Sequence, residues 1–102
     1  MRAIVNGHTY VLPSVAGSQD QTLRFIHKVP IAEGSKELRT IEDGTTTENV
    51  IACLLDRLRY LNRVNPCRDN SIAITKLEDA LFRMERRTKD RTERGVEGTA
   101  SL

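Results

Sequence analysis

Residues 67–99 read CRDNSIAITKLEDALFRMERRTKDRTERGVEGT, and the fold turns on how this run is interpreted. Between Asn70 and Arg94 there is neither glycine nor proline, and most of the side chains favour a helix. Ala73, Leu77, Ala80, Leu81 and Met84 fall at i, i+4, i+7, i+8 and i+11, which builds one apolar stripe at a period of 3.6. The stripe then changes chemistry, because Arg87 and Arg91 continue nearly the same face. Gly95 and Gly98 stop the helix. A core face that runs into arginines either docks a partner or holds an anion, and spacing alone leaves both readings open.

Working back from this helix, Asn65-Pro66 breaks the chain. Asn65 is placed to cap the second helix with Pro66 at its first position. The preceding run, from Thr45 to about Val64, reads as another helix. Thr45 at the N-cap with Glu48 three residues on fits a capping box. Val50, Ile51, Leu54, Leu55, Leu58 and Leu61 form its apolar face. Two helices joined by so short a link pack antiparallel as a hairpin.

The N-terminal part has a different period. Residues 2–5 and 8–12 flank Asn6-Gly7, the strongest short-range signal for a two-residue type I′ hairpin turn. Residues 22–29 read as a third strand with Leu23, Phe25 and His27 on one face, ended by Pro30. A short strand is expected near residues 38–41. The expected class is therefore α+β: a small antiparallel sheet packed with a two-helix antiparallel hairpin. Residues 1–102 are read as a single domain, with a β-rich part (1–44), the hairpin (45–95) and a tail (96–102).

Composition narrows the function. The 102 residues are 38% hydrophobic and contain no tryptophan. A chain of this size buries only roughly 60–65% of its unfolded surface, so the core is thin and self-association is expected to complete it. Sixteen basic and fourteen acidic residues leave a net charge of +2. That balance is too even for a duplex-DNA binder, which needs many uncompensated phosphate contacts, whereas a small anion needs only a few donors. No segment approaches ~18 consecutive apolar residues, and no signal-peptide core is expected at the N-terminus. Cys53 and Cys67 are expected to be buried thiols in a reducing compartment. Their spacing and the distant His8 and His27 give no metal-site pattern.

Tyr60 lies roughly 140° from the centre of its helix's apolar stripe, so it is not placed for the hairpin core. It fits a surface or subunit-packing tyrosine, or a platform on which a base stacks. Arg57 lies one turn before it. Arg87 and Arg91 are i, i+4 neighbours whose forks suit a phosphate or pyrophosphate, with Glu85, Asp90 and Glu93 as competing salt-bridge partners. Arg83, with Lys76 and Arg94, falls on an adjacent face. Asn70, near the helix start, offers an amide for a base edge or a cap. No nucleophile motif, P-loop or facing acid–base pair is present. Binding without catalysis and without a cofactor is the economical reading. The alternatives are a small cyclic-nucleotide hydrolase and a nucleic-acid or protein interaction module.

Four runs together resemble the C-terminal hairpin of the phage anti-Thoeris sponges: DRLRYLN at 56–62, PCRDNSIAITKLEDAL at 66–81, RTKDR at 87–91 and RGVEGT at 94–99. Those proteins share their hairpin with the phage anti-CBASS cyclic-nucleotide sponges. The resemblance implies a viral anti-defence protein in the host bacterial cytoplasm. Such a protein binds a cyclic ADP-ribose isomer, glycocyclic ADP-ribose, without cleaving it. It further implies a homodimer, or a hexamer built as a trimer of dimers, with ligand sites between subunits. A second inter-subunit site for cyclic di- or trinucleotides is a further feature of some members. By the same resemblance the stacking aromatic is Tyr60, the polar helix-start residue Asn70, and the phosphate- and base-contacting arginines Arg87 and Arg91. Arg57, Arg68, Arg83, Gly95 and Val96 are additional candidates. The N-terminal part departs from the family pattern, with Val29 where relatives carry glycine and a longer stretch over 35–44.

Overall fold

A computed structural model describes all 102 residues. Five strands precede two helices: β1 (Arg2–Val5), β2 (Thr9–Leu12), β3 (Gln21–Arg24), β4 (His27–Pro30), β5 (Leu38–Glu42), α1 (Thr47–Val64) and α2 (Arg68–Glu93). The class is α+β, as the two periods in the sequence require. The chain divides into two compact units, Met1–Thr46 with Gly98–Ala100, and Thr47–Glu97 with Ser101–Leu102.

In the first unit, β1, β2 and β3 form an antiparallel sheet in that order, and β4 and β5 form a second, two-stranded one. The single strand expected over 22–29 is two strands in different sheets. The cause lies in Phe25 and Ile26, whose backbones leave the first sheet. The Phe25 N–H donates to His8 O at 2.7 Å, and the Ile26 N–H to Thr45 O at 3.0 Å. Gly44 lets this crossing happen. A Cβ there would lie 2.6 Å from the Phe25 carbonyl carbon and 2.7 Å from Arg24 O.

The β1–β2 turn also differs from the expected type I′ form. Only Gly7 has a positive φ, at 81°, and the His8 N–H closes the turn on Val5 O at 2.9 Å. Positive φ at the third of four residues belongs to a type II turn. A register irregularity between Ala3 and Val5 accommodates the longer loop. His8, at the end of that turn, stacks on His27 with ring centroids 3.6 Å apart and planes within 9°. Tyr10 and Phe25 meet edge to face at 6.0 Å. The Arg24–Glu42 ion pair at 3.2 Å adds a polar tie between β3 and β5.

In the second unit α1 and α2 pack as an antiparallel hairpin. Half-buried or buried positions fall at 48, 50, 51, 55, 58, 61 and 62 on α1, and at 70, 73, 74, 77, 80, 81, 84, 88 and 91 on α2. Steps of three and four recur in both sets and mark the facing seams of the pair. Leu55 is the one fully buried hydrophobic residue. Leu54, expected in the core, is 46% exposed, because the seam passes beside it through Ile51 and Leu58.

Both helix starts fall later than their sequence signals. Thr45 is held in a bridge to Phe25, so α1 begins at Thr47. Cys67, not Asn65, caps α2: its Sγ accepts the Asn70 N–H at 3.3 Å. Asn62 Oδ1 accepts the Cys67 N–H at 3.1 Å and fixes the approach to that cap. Both cysteines are exposed, contrary to the expected burial. Cys67 is outside because an N-cap sits at the open mouth of the hairpin loop, and Cys53 because it lies on the outer face of α1. No helix is long and apolar enough to cross a membrane.

Candidate functional site

The candidate residues lie on the hairpin, and its antiparallel packing decides which of them meet. Arg59 Nη2 and Glu78 Oε2 are 3.1 Å apart, so these residues stand at the same level. Asn62 Nδ2 donates to Ser71 Oγ at 3.4 Å and sets the level at the loop end. Tyr60 and Asn70 therefore lie in the loop-end half of the hairpin, with about 11 Å, or two turns, between their levels. Arg68 starts α2 at that end, and Arg57 lies one turn along α1. Tyr60 is 51% exposed on the outer face of α1, whereas Asn70 is half-buried at the seam.

Arg87 and Arg91 occupy the opposite end. At 1.5 Å per residue, Arg87 stands about 26 Å along the axis from Asn70 and about 15 Å from the level of Tyr60. The gap of about 26 Å between Asn70 and Arg87 is longer than a nucleotide laid along one hairpin. One chain thus carries two separated halves of the candidate set.

The two arginines have different surroundings. Arg87 is exposed and forms no ion pair. It lies at the seam's flank, since the stripe that carries Met84 continues through Thr88 and Arg91. Arg91 is 6% exposed and its guanidinium faces the tail. Its Nε donates to Glu97 Oε2 at 3.2 Å and its Nη2 to Val96 O at 3.0 Å. Nη1 donates to Ser101 O. The two forks expected to converge on one anion are a turn apart, and one of them is engaged within its own chain.

Gly95 and Val96 build that arrangement. Gly95 has φ 72°, its N–H donates to Thr92 O at 3.0 Å, and the Val96 N–H donates to Arg91 O at 2.9 Å. These are the two bonds of a Schellman motif, which ends the helix and reverses the chain. The reversal carries Val96, Glu97 and Ser101 back to Arg91. Arg94 adds a second anchor, pairing with Asp90 at 3.0 Å and donating to Leu102 O at 2.7 Å. Gly98–Ala100 pair within the first unit, where the Ala100 N–H donates to Lys36 O at 2.8 Å. Arg83 makes only a long, exposed contact to Asp79, at 3.8 Å.

Glu97 and Cys67 were not reached from the sequence as residues of this site. For Glu97 the available signal was a carboxylate two residues past a helix-ending glycine, on the path of the reversal. A surface depression of about 370 Å³ is lined by Phe82, Glu85, Arg86 and Lys89 on the outer face of α2. None of Tyr60, Asn70, Arg87 or Arg91 lines it, so it is not a pocket for the candidate set.

Two comparisons bear on this hairpin. A family model described as the Acb2/Tad1 hairpin domain matches residues 24–89. The chain is also similar to a protein of Bacillus phage SBSphiJ7 called Thoeris anti-defense 1. The two are 34% identical over 109 aligned residues, covering 90% of this chain and 77% of the relative. The family match takes in α1 and most of α2, and the relative's alignment extends over nearly the whole sequence. The chain belongs to the Acb2/Tad1 hairpin-domain family.

Proposed function

We propose that this protein is a phage anti-defence sponge acting in the cytoplasm of the bacterial host. It binds a cyclic ADP-ribose-type signal of the Thoeris system, glycocyclic ADP-ribose, and holds it without cleaving it. The observation that carries this reading is the alignment through 90% of the chain with a phage protein named Thoeris anti-defense 1. Capture works by mass action: protein in excess of a tight site lowers the free signal below what its effector needs.

The separated halves of the candidate set favour a site built from two copies. In an antiparallel homodimer the loop end of one hairpin lies beside the tail end of the other, which brings Tyr60 and Asn70 to the partner's pair of arginines. A hexamer built from such dimers would keep the same site. In this arrangement the half-exposed Tyr60 ring stacks on adenine. The Asn70 amide, donor and acceptor at once, reads a polar edge of base or ribose. Arg87, exposed and without an ion pair, offers its fork to the pyrophosphate, and Arg91 supplies the second charge. Arg57, Arg68, Arg83, Gly95 and Val96 form the rim. No residue in this set is asked to move a proton, so the ligand leaves as it entered.

The test is direct. The purified protein is incubated with glycocyclic ADP-ribose, the free nucleotide is removed, and the complex is denatured by heat. Intact nucleotide in the released fraction is the expected result, at up to one ligand per site. A linear or otherwise altered product would overturn the reading in favour of a hydrolase. A calorimetric panel that adds cyclic di- and trinucleotides tests a second class of site, and native mass measurement gives the assembly.

A further inference from the structure

Arg91 poses a problem for any anion that approaches it. Its guanidinium is nearly buried, and all three of its nitrogens donate to the tail. Two of the acceptors are backbone carbonyls, which carry no charge. The third is the Glu97 carboxylate, and its side chain is 41% exposed against 7% for Arg91. Solvent therefore reaches the pair on the Glu97 side. Glu97 meets the guanidinium through one oxygen, Oε2 on Nε, and a phosphate oxygen can accept from the same N–H.

We propose that Glu97 is a built-in stand-in for the ligand's phosphate, holding Arg91 in the free chain and yielding it to the bound nucleotide. The proposal rests on the reading of Arg91 as a phosphate-binding residue. The Schellman reversal at Gly95 keeps the carboxylate poised at Arg91, so the fork stays ordered while no ligand is bound. The ligand's phosphate then takes the Nε–H that Glu97 gives up, on a guanidinium already ordered by the Val96 and Ser101 carbonyls. The cost is competition: apparent affinity is lowered by the fraction of chains in which Glu97 occupies the fork. Breaking the Glu97 contact and binding the nucleotide are two sides of one linkage, so each must favour the other. The exchange also discriminates, because a neutral nucleoside brings no charge to replace the one it would displace.

Calorimetry on the full chain with glycocyclic ADP-ribose tests this. Glu97→Gln keeps the size and the acceptor oxygen but removes the charge, and binding is expected to tighten by about three- to tenfold. Glu97→Ala should tighten binding in the same direction. In an Arg91→Ala background the Glu97→Gln gain should vanish, since the two residues act through one contact. Weaker or unchanged binding for Glu97→Gln, in a protein whose Arg91→Ala variant binds poorly, would overturn the exchange and leave the phosphate reading standing. Wild-type affinity in Arg91→Ala would show that Arg91 never meets the ligand, and both would fall together.

Discussion

If the nucleotide site is shared between two copies, then two defective variants should repair each other. Tyr60→Ala removes the stacking platform, at about 1–3 kcal/mol per base. Arg87→Ala removes a charge-assisted contact worth about 1.5–3 kcal/mol. Each variant alone should therefore bind roughly 5- to 150-fold more weakly, at 1.4 kcal/mol per decade. The folds should survive, because Tyr60 is 51% exposed and Arg87 lies at the surface without an ion pair. Now let the two variants exchange subunits in equal amounts. About half of the resulting two-fold dimers are mixed, and each has one site with both residues restored and one with neither. About a quarter of all sites should recover wild-type affinity. Calorimetry on the mixture reads this as a tight phase of that stoichiometry, and native mass measurement verifies that the mixed dimer has formed. The axial offset of about 15 Å between the levels of Tyr60 and Arg87 is what makes the outcome sharp. Weakened binding in each variant with no tight phase in a verified mixed dimer would refute the shared site.

Three further expectations concern the scaffold. Leu55 is 2% exposed, and Leu55→Ala should lose about 2–5 kcal/mol in urea unfolding, a large share of a small domain's stability. A loss below about 1 kcal/mol would mean that the hairpin seam is not where its stability resides. Cys67→Ser places a stronger acceptor at the N-cap of α2, where Sγ now takes the Asn70 N–H at 3.3 Å. The melting temperature should rise, reflecting a gain of up to about 1 kcal/mol. Gly44→Ala puts a methyl 2.6 to 2.8 Å from backbone atoms of Phe25, Arg24 and Ile26. Backbone cannot yield as a side-chain tip can, so about 1–3 kcal/mol should be lost, which far-UV circular dichroism on heating will read.

The hairpin was legible because its signals are local and periodic. Leu55, Leu58, Leu77 and Met84 repeat at helical spacing, and Asn65-Pro66 separates the two runs. Expectations failed where a non-local bond decided. Thr45 is a good N-cap by type, but its pairing to Arg24 and Ile26 removes it from the helix. Residues 22–29 alternate well enough for one strand, and nothing in their order tells that Phe25 and Ile26 will pair with His8 and Thr45 instead. The different surroundings of Arg87 and Arg91, one exposed and one covered, were likewise hidden. Both fit the same stripe within a few tens of degrees, and only the tail's return determines which one is covered. The families of residue types at the site were readable from their chemistry. Their division between the two ends of the hairpin needed the register, which the Arg59–Glu78 contact supplies.

The lone buried leucine has a consequence for dosage. With Leu54, Tyr60, Val64, Ile72 and Phe82 all 44% exposed or more on the hairpin, much of its apolar surface is uncovered in a single chain. If a second copy covers part of it, stability comes under mass action, and the melting temperature climbs with protein concentration. A sponge must outnumber the molecules it absorbs. The abundance that gives it capacity would then be the same abundance that keeps it folded, and a protein made too sparingly would lose twice, in sites and in the fraction of chains able to offer them.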